Sequence, residues 1–216
     1  MPVHVFDAYG TLFDVHAAIA RHRETVGPEA DRLSDLWRTK QLEYTWTLTL
    51  AGRFVDFWAL TERALDHALA RHPSVDPAVR SRLLDAYRVL DAYADARATL
   101  DALKARGERT AILSNGTLRM LAGVVEAAGL GDALDAVLSV EAVRLYKPRP
   151  EVYQMVLDTF AVAPRDVVFV SSNRWDVMGA AAFGFRAVWI NRAGLPEEYP
   201  ELAPIRVLRS LAALTS

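Results

Sequence analysis

Residues 4–14 read HVFDAYGTLFD. The apolar run ends abruptly at Asp7, and Gly10-Thr11 follows as a turn. This is the pattern of a short buried strand that delivers a carboxylate to its own carboxyl end. Tyr9 holds the place two residues on, where a second acid would suggest metal-assisted phosphate chemistry. The aspartate is therefore presented without a partner acid beside it.

Four more short runs share the branched, apolar composition of strands buried on both faces: RTAILS at 109–114, AVLSV at 136–140, DVVFVS at 166–171 and RAVWI at 186–190. Helical patterns separate most of them. ADARATLDALKARG, residues 94–107, is expected to bury Ala98, Leu100 and Leu103 and to stop at Gly107. TLRMLAGVVEAAG, PEVYQMVLDTFA and WDVMGAAAFG carry similar apolar stripes. Alternating strands and helices with short links predict an α/β fold built on a doubly wound parallel sheet.

Residues 15–92 break that rhythm and read as helices only. DRLSDLWRTKQLEYTWTLTLAG runs amphipathically to Gly52, and DFWALTERALDHALARH places Phe57, Leu60, Ala64, Leu65 and Ala68 on one face. Asp76 with Pro77 opens a further helix. The expected organisation is an α/β core of residues 1–14 and 93–216 with a helical insertion, 15–92, after the first strand. Ligands of open sheets bind beyond the carboxyl ends of the strands. An insertion leaving that edge is placed to cover the site.

Composition narrows the class. The chain has 216 residues, 52% hydrophobic and 24% charged, enough apolar material for a large core. A net charge of −2 gives no basic stripe for nucleic acid. No segment approaches a membrane span of about 20 apolar residues, and the start lacks the pattern of a secretory signal. The absence of cysteine excludes disulfides and thiolate chemistry and fits a cytoplasmic setting. No cofactor and no metal are expected.

Reading the strand ends gives Asp7, Ser114, Asn115, Ser171, Ser172, Asn173 and Asp176, with Lys147 in the loop LYKPRP. Each alone is compatible with ordinary turn, capping or surface roles. Parallel strands point the same way, so together they converge on one crevice.

In order and spacing, DAYGTLFD (7–14), SNG (114–116), YKPRPEVY (146–153) and VSSNRWD (170–176) resemble the four motifs of the haloacid dehalogenase superfamily. The likeness covers nearly the whole chain. More narrowly, the tyrosine of DAYGT, the WRTKQLEYTW of the insertion, the Lys-Pro-Arg-Pro stretch and SSNRWD are similar to the L-2-haloacid dehalogenases, with the insertion as their cap domain. Phosphatases of this superfamily use a second acid two residues after the nucleophile, and hold magnesium with an acid of the last motif. Tyr9 and the Ser171-Ser172 pair depart from that pattern.

The resemblance implies that Asp7 displaces halide from carbon to form an ester, that Arg38 receives the halide with Asn115 assisting, and that Asp176 activates the hydrolytic water. Lys147 would keep Asp7 ionised. Thr11, Ser114, Tyr153, Ser171 and Asn173 would be supporting catalytic residues. Tyr9, Leu42, Phe57 and Trp175 would contact the substrate, together with Arg38, Ser114, Asn115, Lys147 and Asn173. The expected partners are a small 2-haloacid and water. A phosphatase, another small-carboxylate hydrolase with the same nucleophile, and a binding module that kept the fold are the alternatives. The stretch LEYTWTLTL either covers a homodimer interface or packs within the cap.

Overall fold

The structure, a computed structural model, describes residues 2–215. Its centre is a parallel six-stranded sheet in the order β3-β2-β1-β4-β5-β6. The strands are β1 (Val3–Phe6), β2 (Arg109–Ser114), β3 (Ala136–Ser139), β4 (Val167–Ser171), β5 (Arg186–Ile190) and β6 (Arg206–Leu208). The first five stand where the branched apolar runs predict them. Val3, Val5, Phe6, Ile112, Leu113, Phe169 and Val170 are fully buried. Burial of a Val, Leu, Ile or Phe side chain contributes about 1.5–3 kcal/mol before the entropy of ordering is subtracted. β6 has no such signature. It is a three-residue edge strand with two exposed side chains, held by pairing to β5 rather than by its own composition.

The helices are α1 (Ala17–Ala20), α2 (Arg23–Val26), α3 (Ala30–Leu50), α4 (Phe57–Arg71), α5 (Arg80–Tyr87), α6 (Ala96–Ala105), α7 (Leu118–Ala127), α8 (Pro150–Phe160) and α9 (Arg174–Phe183). Their boundaries follow local chemistry. Asp56 caps α4 by accepting from Ala59 N at 3.0 Å, Thr117 caps α7 through Met120 N at 3.1 Å, and Pro150 occupies the first turn of α8. Asp76 caps a 3-10 turn, Pro77–Val79, that runs into α5 rather than capping α5 itself. One expectation for α6 fails. Ala98 is exposed, and the buried face is Ala96, Thr99, Leu100 and Leu103, because at about 100° per residue Ala98 lies about 200° around the helix from Leu100.

Between β1 and α6 the chain forms only helices and turns among the described residues, with α3 and α4 packed along each other. This helical segment enters and leaves the core side by side. Asp14 N donates to Asp91 O, and Tyr93 N donates to Leu12 O, both at 2.9 Å. A bridge between Phe13 and Ala92 lies between them. No described helix is long and apolar enough to cross a membrane.

Strand order reverses beside β1, because the chain adds β2 and β3 on one side before crossing to β4 on the other. The crevice beyond the carboxyl ends of β1 and β4 is the topological switch point of such a sheet. Asp7 sits at that point, and its backbone N–H extends the pairing to Val170 O at 3.0 Å.

Candidate active site

Asp7 leaves β1 into a turn that Gly10 completes at φ +93°, a conformation that a side-chain-bearing residue adopts only with strain. Asp7 is 5% exposed, and its carboxylate meets four donors. Its Oδ2 accepts from Asn173 Nδ2 at 2.7 Å, Thr11 Oγ1 at 3.2 Å and Ser171 Oγ at 3.4 Å. Its Oδ1 accepts from Lys147 Nζ at 3.1 Å. The two oxygens are thus unequal: one holds three donors, the other a single cation.

Lys147 comes from the loop between β3 and α8, and its side chain is fully buried. It also donates to Asp176 Oδ2 at 2.8 Å and lies 5.0 Å from the Phe169 ring centroid. A buried ammonium is tolerated only with partners of this kind. Burial pulls the Lys147 pKa down, and the carboxylates of Asp176 and Asp7 more than offset that, leaving it above the ordinary lysine value. Asp176, in the first turn of α9, is completely buried and accepts from Tyr153 OH at 2.8 Å. Desolvation, with repulsion from Asp7, raises the Asp176 pKa to about 6 against the opposing pull of Lys147. Two carboxylates and one ammonium leave the cluster one unit short of cations.

The supporting groups join without gaps. Thr11 Oγ1 also accepts from Ser172 N at 2.8 Å, and Ser171 Oγ accepts from Asn173 N at 3.1 Å. Asn115 Oδ1 accepts from Lys147 N at 3.1 Å, tying the end of β2 to the lysine loop. Ser114 accepts from Gly116 N at 3.0 Å and does not reach Asp7. Gly116 has a steric reason to be glycine: a Cβ there would stand 2.6 Å from Tyr9 Cε2.

The opposite wall comes from the helical segment. Arg38 on α3 donates to Tyr9 O at 3.2 Å. Phe57, at the start of α4, lies 6.0 Å from Tyr9 between ring centroids, and Tyr87 stacks on Tyr9 at 5.7 Å with 10° between planes. Tyr9 itself is 3% exposed, yet its hydroxyl has no hydrogen-bond partner among the described residues.

Two residues expected at the substrate stand apart. Trp175 packs edge-on against Trp46 of α3 at 5.4 Å, and Leu42 is half-buried on α3. Neither makes a hydrogen bond or ring contact with the Asp7 cluster. Conversely, Phe13, Gln41, Tyr87 and Tyr146 surround or support the crevice without having been read from the sequence. A buried aromatic on a helix face carries the same pattern whether it lines a core or a pocket.

The model of a haloacid dehalogenase-like hydrolase family matches residues 1–184. The chain belongs to that family. It is 52% identical over 211 residues to (S)-2-haloacid dehalogenase 1 of Pseudomonas sp. (strain CBS-3), covering 97% of this chain and 93% of that one. Haloacetate dehalogenase H-2 of Moraxella sp. (strain B) is 38% identical over 190 residues, covering 88% and 85%. The structure of L-2-haloacid dehalogenase from Xanthobacter autotrophicus with chloropropionic acid covalently bound matches at a TM-score of 0.88 and 35% identity. That match covers 100% of this chain and 97% of the other. The α/β fold of this chain is the fold of these dehalogenases.

Proposed function

We propose that the protein hydrolyses short-chain L-2-haloalkanoates to 2-hydroxyalkanoates of inverted configuration, through an ester on Asp7 and without a metal. The observation that carries this reading is Tyr9, whose ring packs against Phe57 and Tyr87 at the crevice in the place where a phosphatase of this family has the acid that protonates the leaving alcohol. Ser171 and Ser172 stand where the last motif of such a phosphatase carries its metal-holding acid. Lys147 meanwhile donates to both Asp7 and Asp176, at 3.1 and 2.8 Å, and keeps the nucleophile ionised. Departing halide requires no proton, only donors where its charge develops.

The inequality of the two Asp7 oxygens assigns their work. Oδ1 keeps lone-pair density for attack on the carbon bearing the halogen. The C–O bond forms as the C–X bond breaks, and X⁻ leaves with the electron pair toward Arg38 and Asn115. Oδ2 becomes the ester carbonyl oxygen. Thr11, Ser171 and Asn173 already point hydrogens at it, so negative charge developing there meets preorganised donors when water adds. Asp176 takes one proton of that water and returns it to the alkoxide oxygen as the hydroxy acid leaves, and the second water proton is released as the Asp7 carboxylate is restored. Attack from the face opposite the halogen inverts the carbon. Hydrolysis at the acyl carbon leaves that centre untouched.

Charge favours a monoanionic substrate. Arg38 supplies the cation that the Asp7–Lys147–Asp176 cluster lacks, whereas a phosphate dianion would add two further charges. On this reading Tyr9 and Ser114 bind the substrate carboxylate, Phe57 packs against its α-substituent, and Leu42 and Trp175 contact it from further out. We take residues 15–92 as the cap, hinged at the paired segments beside Phe13 and Ala92. The outward side of α3, where Leu50 is 88% exposed, suits a homodimer contact, and the cysteine-free sequence suits the cytoplasm.

The test is halide and phosphate release from L-2-chloropropionate and an aryl phosphate, each with and without a chelator. Halide release that survives chelation, with a hydroxy acid of opposite hand, is the expected result. Magnesium-dependent phosphate release without halide would overturn the assignment.

A further inference from the structure

The chain crosses between the α/β core and the helical segment twice, outward through residues 11–14 and back through 91–93. The crossings pair through Asp14 N to Asp91 O and Tyr93 N to Leu12 O, both at 2.9 Å. Such a connection is a poor brace by itself, because an isolated pair of strands is only marginally stable. A third support comes from the end of β5.

Arg192, two residues beyond β5, forks onto Asp95: Nη1 donates to Oδ2 and Nη2 to Oδ1, both at 2.9 Å. Nη2 also reaches the Thr11 carbonyl at 3.4 Å, and the guanidinium lies 4.1 Å from the Tyr93 ring centroid. One side chain of the core therefore holds the outward crossing at Thr11 and the return at Tyr93 and Asp95. Both members of the ion pair are largely buried. Leu211 N donates to Asp95 Oδ2 at 2.8 Å, anchoring the acid to the core from behind. Burial pushes the Asp95 carboxyl up, and the bonds from Arg192 and Leu211 more than offset this, leaving it below the ordinary aspartate value. Arg192 Nε is buried without a partner among the described residues. An unmet buried donor costs stability, so the grip is kept at that expense.

The grip continues to the nucleophile. Thr11 Oγ1 donates to Asp7 Oδ2 at 3.2 Å and accepts from Ser172 N at 2.8 Å. Trp189 of β5 donates from Nε1 to Ser172 O at 3.2 Å, so β5 reaches the same turn a second time. Asp7 stands on the core and Arg38 on the helical segment, so their spacing is set where the two parts join. A misplacement of about 1 Å costs about 10²-fold in rate.

We propose that Arg192 is a positioning residue of the dehalogenation: by gripping Asp95, Tyr93 and the Thr11 carbonyl it fixes the cap on the core and so sets Arg38 against Asp7. Resting on the function proposed above, this adds to that site a residue outside its motifs. Lysine cannot replace it, because an ammonium neither forks onto a carboxylate nor lays a planar group on the ring. The two chemical steps respond differently. Halide displacement needs Arg38 of the cap and Asp7 of the core, whereas ester hydrolysis draws on core groups alone.

Two measurements on Arg192→Gln test this. The parent has no cysteine, so spin labels go on Ala70→Cys in α4 and Gln154→Cys in α8, both exposed positions, and pulsed electron resonance reads the cap-to-core distance. Expected is one narrow distribution in the labelled parent and a broader or longer one with Arg192→Gln. In quenched single turnovers of L-2-chloropropionate, halide release should slow about tenfold or more, while decay of the Asp7 ester keeps its parent rate. Asp95→Ala combined with Arg192→Gln should be no worse than either alone, as for one shared interaction. A parent-like distance distribution in Arg192→Gln, equal slowing of both steps, or additive losses in the double variant overturns the proposal. Should Arg192→Gln fail to fold, the same readings on Arg192→Lys decide it. A parent that releases no halide marks failure of the functional reading, and the distance measurement still decides the grip.

Discussion

The crevice beyond β1 and β4 has two walls of opposite construction. On the core wall, Asp7, Lys147, Asp176, Tyr153, Thr11, Ser171 and Asn173 form a continuous hydrogen-bonded cluster, with the lysine shared between two acids. On the cap wall, Phe57 and Tyr87 pack on the Tyr9 ring, and Arg38 donates to a neutral group, the Tyr9 carbonyl. The core wall is committed before any ligand arrives. On the cap wall Arg38 has no ion-pair partner among the described residues. The proposed mechanism puts bond making on the first and draws on Arg38 of the second for the leaving halide, so substitutions should separate them.

The largest separation is expected at Asp7. Asp7→Asn keeps the shape of the side chain and removes its nucleophilicity, so turnover should fall by at least about 10⁴-fold, as for other enzymic nucleophiles. Stopped turnover of parent enzyme in heavy-oxygen water should place the label in Asp7, and the Asp7→Asn variant should neither release halide nor take up label. Unchanged halide release in the variant would move the bond-making off the core wall altogether.

Next comes Lys147→Met. Removing the cation leaves two buried carboxylates facing each other, a loss of about 3–5 kcal/mol when one partner of a buried pair is deleted. Denaturant unfolding should show that loss alongside the loss of activity. Arg38→Gln should behave in the reverse manner. No ionic partner is stranded, so stability should change by about 0.5 kcal/mol or less. The kcat for chloropropionate should nonetheless drop by about 10²–10³-fold, the cost of deleting one preorganised donor at a developing anion. Equal stability losses in Lys147→Met and Arg38→Gln would erase the distinction between the walls.

The same contrast explains what could be read in the sequence. The core wall was legible because parallel strands all end at one edge, so Asp7, Ser114, Asn115, Ser171 and Asp176 announce themselves as polar tips on apolar runs. The five long strands were legible for the same reason, while β6 has too little apolar content to register. Ala98 was misplaced because, at about 100° per residue, it lies about 200° around α6 from Leu100, off the stripe that Leu100 and Leu103 define. The cap wall was far less legible. Arg38 looks like any helix-surface arginine until motif resemblance singles it out. Gln41, Thr61 and Tyr87 lie far apart in sequence, and only the packing of α3, α4 and α5 brings them into one chain of bonds.

The smallest effect tests the inner edge of the core wall through pH. Asp176 has a folded pKa of about 6, above the ordinary carboxylate value of 3.8. Between those two values the folded chain holds a proton that the unfolded chain has released, so this group's contribution to stability declines as pH rises from about 4 to 6. Activity runs the other way: water activation needs the ionised form, and ester hydrolysis should fall about tenfold per unit below pH 6. Tyr153 OH donates to the carboxylate and favours its charged form. Tyr153→Phe should therefore move the acid limb of kcat upward by about one unit or less, the equivalent of a single charged hydrogen bond. Above the limb the rate should change only a few-fold. Arg38→Gln should leave the limb in place, because the cap wall has no part in that titration. A limb that moves with Arg38 and ignores Tyr153 would assign the titration to the wrong wall.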